Sequence, residues 1–401
     1  MAREDRLLNV AAPDPWSRSV ARRTWLKGAG LVLAAAGVAP ALGACDSSPR
    51  QSATTAPDDG GSVPPVEPEA EKVLNFFNWT SYIDDESTAP DTPPDERTIA
   101  RFERETAISV NYQTYGGNEE LLEKLSGGNS GFDIVVPSDY VVEQMIAANM
   151  LRKLDRAAIP NFYDNQADSF KGLYYDPDNE YSVPWGSGNS GIGVNKEAVT
   201  QTVTDASIFG DASYRGIMSI LDDFRSTIPL ALFHLGLDPT SGNAADLDRA
   251  FAQLAEWKHN AVFTSDYQDS LGSGDLVVSH AYSGDVVQQI ANTGADLQYV
   301  VPPQGADKYV DSMVVLADAP HPGNAHLFMD YVYEPDVSAQ LMAATRYRNA
   351  NQAAYELLPP ALRDNQIVFP PKEVEDRLVF VQLDPETAAT WKDRWSRFVA
   401  S

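Results

Sequence analysis

Two large aromatics with polar tips close the stretch VLNFFNWTSYI, Val73 to Ile83, and are the first residues in the chain equipped to hold a small molecule. Val73 to Phe77 form a short apolar run broken by Asn75, the pattern of a buried strand. Asn78, Trp79, Thr80, Ser81 and Tyr82 follow as a turn. Rings at the carboxyl end of a first strand are well placed to line a crevice, where ligands of open α/β sheets sit. They can equally cap the core under a loop, and the pattern leaves both readings open. Covalent catalysis finds less to work with. The chain has no Gly-x-Ser-x-Gly elbow, no P-loop and no His-Glu-x-x-His. Its five histidines (His234, His259, His280, His321, His326) show no metal-ligand spacing on one helix face. Asp176-Pro177-Asp178-Asn179-Glu180 faintly suggests a calcium loop. It lacks the sixth-position glycine and the distal glutamate, so a turn is the better reading. A binding protein without metal or other cofactor is expected rather than an enzyme.

At 401 residues the chain is too long for one ordinary core, and two lobes are the default. The start stands outside that fold. Arg22-Arg23-Thr24-Trp25-Leu26-Lys27 is a twin-arginine pattern, followed by an Ala-rich apolar run, Gly28 to Ala44, too short for a good membrane span. It resembles a Tat export signal. Leu42-Gly43-Ala44-Cys45 resembles a lipoprotein cleavage box, which would make Cys45 the lipidated first residue of the mature protein. Cys45 is the only cysteine, so no intrachain disulfide is possible. One lipidated terminus holds a protein at the membrane surface without making it span. Residues 46–71 turn to Ser, Thr, Pro, Gly and Asp without an aromatic, the composition of a flexible tether. Its 26 residues would reach roughly 25–31 Å.

The formal charge is −27. Residues 1–44 hold six Lys/Arg and three Asp/Glu, so their removal takes the charge to −30. A body this acidic excludes non-specific nucleic-acid binding and attracts cations over a Debye length. Most of the charge serves solubility.

The elements that must position Trp79 and Tyr82 alternate. After a Pro-rich loop, Ser87 to Asp95, a helix is expected at 96–105 with Ile99 and Phe102 inward, and a strand at 108–112. A helix then starts near Asn118, a plausible N-cap. A strand at 132–136 precedes a helix with Val142, Met145 and Ile146 as its apolar face. This β-α-β-α-β order marks a mostly parallel sheet wrapped by helices. Tyr181–Trp185 and Gly191–Asn195 read as two extended pieces joined by Gly-Ser-Gly-Asn-Ser, the first crossover between lobes. A second alternation follows. Strands are expected at 217–221, 262–264, 276–281 and 297–301, with helices after Asp223, across 245–259, near 267–271 and at 285–292. Tyr309 to Leu316 reads as the return crossing, before helices near 325–333 and 336–344.

The ordered pieces Asn78-Trp79-Thr80-Ser81-Tyr82, Phe132 to Ser138, Asp176 to Pro184, Gly191 to Asn195, Ser283-Gly284-Asp285, Tyr309-Val310-Asp311-Ser312 and Tyr347 to Asn351 resemble the bacterial spermidine- and putrescine-binding proteins of polyamine ABC importers. The resemblance runs from about Val73 to Phe398. It implies an α/β fold of two lobes, type II-like, each a mixed sheet flanked by helices, closing on its ligand like a hinged clamp. The lobes would be 72–188 plus 311–345 and 189–310 plus 346–401, after a signal peptide over 1–44 and a lipidated terminus and tether over 45–71. An alkyl diamine needs a carboxylate or several acceptors at each end and flat apolar walls between. The resemblance places Asp223, Asp285 and Asp311 as carboxylates and Trp79, Tyr82, Tyr140, Tyr282, Tyr309 and Tyr347 as walls. Thr80, Ser81, Ser138 and Gln382 would supply hydrogen bonds. On residues alone, Asp223 and Asp285 can also cap the helices that follow them, whereas Asp311 lies in an apolar strand where a solvated role is unnatural.

Two departures stand out. Ser81 and Ser226 occupy places where the family usually carries acids, and Tyr282 and Tyr309 replace tryptophans of the spermidine binders. With Asp285 present the pattern is closer to the putrescine-binding branch. No basic residue is expected in the pocket, which argues against an anion. The expected partners are a polyamine and the permease subunits of an ABC transporter. The expected setting is the periplasm or the outer face of the cell membrane, as a lipid-anchored monomer. The alternative is a solute-binding protein for another small amine or a sugar.

Overall fold

The computed structural model of the chain describes Val63 and residues 65–401. The twin-arginine segment, Cys45 and most of the expected tether lie outside the described residues. The strand begun by Val73 runs two residues further than its apolar pattern, as β1 (Val73–Trp79). Next come α1 (Thr98–Thr106), β2 (Ser109–Tyr115), α2 (Asn118–Leu125), β3 (Ile134–Val135), α3 (Asp139–Ala147) and α4 (Pro160–Asn165). β4 (Ser182–Asn195) is one strand of 14 residues where two pieces and a link are expected. Then follow β5 (Met218–Ile220), α5 (Phe224–His234), α6 (Ala244–Lys258), β6 (Ala261–Phe263), α7 (Gln268–Ser273), β7 (Val278–Tyr282), α8 (Ser283–Thr293) and β8 (Leu297–Val300). β9 (Ala306–Val315) starts three residues before the expected return crossing. The chain closes with α9 (Pro322–Val332), α10 (Pro335–Thr345), the single turns α11 (Gln352–Tyr355), α12 (Pro360–Arg363) and α13 (Lys372–Glu375), β10 (Leu378–Phe380) and α14 (Pro385–Val399).

The strands form a mixed sheet in the order β2-β1-β3-β9-β4-β7-β5-β6, with β10 on β9 and β8 on β4. β1 is parallel to β2 and β3. The first half of β4 is antiparallel to β9, and its second half is antiparallel to β7 and β8. Two larger cores flank this strand. One gathers Leu74, Phe76, Val142, Val314 and Phe328, with Phe76 tilted against Phe328 at 5.2 Å and edge-to-face with Trp185 at 5.6 Å. The other gathers Ile192, Met218, Ile228, Trp257 and Trp391. Each such fully buried side chain contributes about 1.5–3 kcal/mol. β4 and β9 therefore carry backbone from one core to the other, and the side chains facing outward where they cross are free to build a site.

Residues 66–71, the end of the expected tether, are docked. Glu69 accepts from the backbone N–H of Gly323 and Asn324, each at 2.9 Å, and so caps α9. Val66 donates to Asp155 at 3.0 Å. The Asp176 turn is closed on itself: its carboxylate accepts from the N–H groups of Glu180, Tyr181 and Ser182 and from the Ser182 hydroxyl. Among the described residues no helix is long and apolar enough to cross a membrane, and no group of three or more His, Cys, Asp or Glu is arranged to hold a metal ion.

Candidate ligand-binding site

Where the two cores meet lies a cavity of about 440 Å³. The turn after β1 forms one wall. Ser81 takes a left-handed φ of +54°, which swings the chain so that Trp79 and Tyr82 both face the cavity. Trp79 is pinned by its indole N–H donating to Val136 O at 2.8 Å and by the Tyr115 ring at 4.8 Å. The Tyr82 ring lies over Gly186 of β4, where an added Cβ would land inside it. That need for space explains why a Gly/Ser-rich stretch with loop composition is extended strand.

Asp311, on β9, is 5% exposed and sits at the centre. It accepts from Tyr82 Oη at 3.0 Å and from Ser138 Oγ at 2.6 Å. Ser138 is in turn held by Asn118, whose amide donates to its hydroxyl at 3.0 Å and accepts from its N–H at 3.3 Å. Asn118 is thus not the expected cap of α2: Gly117 is, because the Asn118 side chain has this longer-range task. Burial pushes the Asp311 carboxyl up to about 7, against the two hydroxyl donors, which pull it down.

The facing wall comes from α5, β7 and α8. Asp223 does two things at once. It caps α5 through Arg225 N–H at 2.8 Å and accepts from Tyr282 Oη at 3.0 Å. Asp285 caps nothing. It accepts from Tyr347 Oη at 2.7 Å, Tyr267 Oη at 2.8 Å and Gln268 Nε2 at 3.0 Å. Burial raises the pKa of both carboxyls. The Tyr347 ring covers Gly284, where a Cβ would again collide with it. Two edge-to-face pairs line the middle, Tyr82–Tyr347 at 4.9 Å and Tyr282–Tyr309 at 5.5 Å.

Of the residues expected at the site, Trp79, Thr80, Ser81, Tyr82, Ser138, Tyr140, Asp223, Tyr282, Asp285, Tyr309, Asp311 and Tyr347 all line this cavity. Gln382 does not: it is solvent-exposed just after the edge strand β10, and only its neighbour Val381 reaches the cavity. Three lining residues are basic where none is expected: Arg225, Lys308 and Lys392. Arg225 is buried, stacks its guanidinium 3.8 Å from the Tyr140 centroid and donates to Val381 O at 3.1 Å. Against these stand Glu119, Asp139, Asp222, Asp223, Asp285, Asp307 and Asp311. Sequence reasoning missed Asp139 and Asp307. Asp139 accepts from Val310 N–H and Tyr174 Oη, and burial pushes it up to about 6. Asp307 is available from the pattern: Asp307, Tyr309 and Asp311 alternate at i, i+2 and i+4 and so share one face of β9. A strand started at Tyr309 hides it. Ser226, where an acid is usual in the family resembled, donates to Asp307 at 2.9 Å.

The sequence pattern of bacterial extracellular solute-binding proteins matches residues 97–370. The chain belongs to that family. This solute-binding protein works outside the cytoplasm and is not an enzyme. It is 30% identical to the putrescine-binding periplasmic protein SpuD of Pseudomonas aeruginosa, over 81% of this chain and 91% of the relative. It is also 30% identical to the putrescine-binding periplasmic protein PotF of Escherichia coli, over 82% and 91%. Its structure resembles a putative spermidine/putrescine ABC transporter protein from Listeria monocytogenes, with TM-score 0.74 and 28% identity over 82% of this chain and 98% of that one. The TpPotD lipoprotein of Treponema pallidum matches with TM-score 0.69 and 29% identity over 81% and 99%. The architecture is accordingly the two-lobed one of periplasmic binding proteins.

Proposed function

We propose that the protein binds a polyamine of the putrescine or spermidine kind in this cavity and hands it to the permease of an ABC importer. The observation that carries the reading is a set of buried carboxylates, Asp285, Asp307 and Asp311, held by tyrosine and serine hydroxyls rather than by ion pairs. Among the described residues no Lys, Arg or His forms an ion pair with Asp285, Asp307 or Asp311. Burying unpaired carboxylates is costly, and an alkylammonium ion is the partner that would relieve it. Tyrosine faces add about 0.5–2 kcal/mol of cation–π attraction per well-placed contact. Relatives named as putrescine-binding proteins and a structure named as a putative spermidine/putrescine transporter protein support the same substrate class.

In this reading the lobes are 72–188 plus 311–345 and 189–310 plus 346–401, and closure brings Asp285 and Tyr347 onto Tyr82 and Asp311. Lipid on Cys45 keeps the protein at the outer face of the cell membrane, and the similar structure from Treponema pallidum, a lipoprotein, supports an anchor. It acts as a monomer. Titration calorimetry with putrescine, spermidine, agmatine and a panel of sugars tests the substrate. Micromolar binding of an amine and none of a sugar is the expected result; silence of every amine at micromolar concentration removes the reading. Arg225, a buried cation whose Nε–H has no partner, favours a second ligand type, an amine that also carries a carboxylate. An ω-amino acid in the same panel separates it from the diamines.

A further inference from the structure

β9 carries two acids on its cavity face. Asp311 belongs to the half of the site built on Tyr82 and Ser138. Asp307, 6% exposed, belongs to the other half. Its Oδ2 accepts from Ser226 Oγ of α5 at 2.9 Å, and its Oδ1 accepts from Ser190 Oγ of β4. With Asp307 ionised, Ser190 donates its proton to the acid, and its oxygen lies 3.1 Å from Nε2 of His280 on β7, whose Nδ1 faces Thr227 Oγ1 at 3.5 Å. His280 is fully buried and neutral, because burial drives its pKa down to about 3. The relay therefore orients the carboxylate without neutralising it. Each carboxylate oxygen accepts a second hydrogen bond, so two acceptor positions remain on a group that lines the cavity. Ser190 and His280 do not form a nucleophile and base with Asp307, since the acid bonds the serine and not the ring.

Spacing says what such a pair of acids would hold. Four residues of strand separate the Cα atoms of Asp307 and Asp311 by ~13 Å, and side chains on one face stand roughly parallel. In an extended 1,4-diaminobutane five bonds of ~1.5 Å put the two nitrogens ~6 Å apart. A charge-assisted hydrogen bond of ~2.8 Å at each end brings the span to ~12 Å. We propose that Asp307, oriented by Ser226, Ser190 and His280, receives the second ammonium group of the ligand, so that the site selects α,ω-diamines of about four or five carbons over monoamines. This rests on the polyamine reading above and adds to it the residue that holds the second cationic end.

Calorimetry with 1,4-diaminobutane and with butylamine tests it, on the wild-type protein and on the Asp307→Asn variant. The wild type is expected to bind the diamine at least 100-fold more tightly than butylamine. In Asp307→Asn the diamine loses at least 30-fold while butylamine stays within threefold, so discrimination collapses. Ser226→Ala keeps the charge but frees it, and loses 3- to 10-fold on the diamine alone. The double variant Asp307→Asn/Ser226→Glu returns a carboxylate from α5 to the same spot and recovers at least half of the lost discrimination on a logarithmic scale. It also covers the case in which Asp307→Asn alone folds poorly. If Asp307→Asn keeps the wild-type preference, or weakens both amines equally, the inference fails while polyamine binding stands. If the wild type binds neither amine, nor spermidine, the substrate reading itself fails and takes this inference with it.

Discussion

Asp311→Asn is expected to weaken amine binding and, in the same molecule, to stabilise the unliganded fold. Both effects come from one fact: the carboxylate at the centre of the site is buried without a cation. Burial raises its pKa from the ordinary 3.8 to about 7. At 1.36 kcal/mol per pH unit, the ionised group costs the unliganded fold about 4 kcal/mol at pH 8. Asparagine removes that charge at nearly constant shape. The Tyr82 and Ser138 hydroxyls can rotate, so one donates to its oxygen and the other accepts from its nitrogen. The free variant should therefore melt several degrees above the wild type at pH 8, and at nearly the same temperature at pH 4, where the wild-type acid is already protonated. Binding moves the other way. An ammonium that loses its charged partner in a buried site loses about 2–5 kcal/mol, or roughly 30- to several-thousand-fold in Kd. Calorimetric titration and scanning calorimetry of both proteins, at pH 4 and pH 8, read the two numbers. A variant that is less stable at pH 8 and binds putrescine as the wild type does would refute the argument, since Asp311 would then be a structural group unrelated to the ligand.

The unliganded protein should lose stability between pH 5 and pH 8. Asp307 and Asp311 both have folded pKa values raised to about 7, so their favourable contribution is complete below 3.8 and lost as pH rises through 7. Scanning calorimetry without ligand checks the slope, and saturating putrescine should flatten it, because a bound dication supplies the missing partner. Affinity for the diamine should accordingly rise from pH 5.5 to pH 8, measured by titration in buffers of different ionisation heat; an affinity that falls over this range contradicts the sign. Gly284→Ala should displace the Tyr347 ring, break its bond to Asp285, cost about 1–3 kcal/mol of stability and lower amine affinity at least tenfold. Cys45→Ser should move the protein from the membrane to the soluble fraction on cell fractionation; retention on the membrane rules out the anchor.

Most of the frame was legible because it is written in apolar period. The runs at Val73, Phe132 and Leu276 bury the residues their pattern implies, and the helix faces carrying Phe102 and Val142 turn inward as their spacing implies. What was not legible depended on partners far along the chain. Gly186 to Gly191 has the composition of a link, yet β9 pairs with it as far as Asn189, β7 takes over from Ser190, and tyrosine rings need the room that missing side chains leave. Asn118 reads as a local cap, and instead fixes Ser138 twenty residues away. α14 was passed over although its signals are local: Asp384 caps Glu386 and Thr387, proline occupies the first turn, and Trp391, Trp395 and Phe398 recur on one face.

The acids divide along the same line. Asp311 stood out because a charge inside an apolar strand has no solvated role to play. Asp307 is the second residue of the same strand, after Gly305 and Ala306, where an aspartate passes for a turn residue. Only pairing with β10 extends β9 back far enough to turn it inward, through the register Leu378 to Ala306 and Val379 to Asp307. Serine at 226 looks like a lost charge when α5 is considered alone. In the fold its hydroxyl points at Asp307, so the negative charge at that end of the cavity comes from a different element. A site defined by electrostatic demand can keep its chemistry while its residues move between helix and strand, and the ledger of charges is then readable only after the chain has closed.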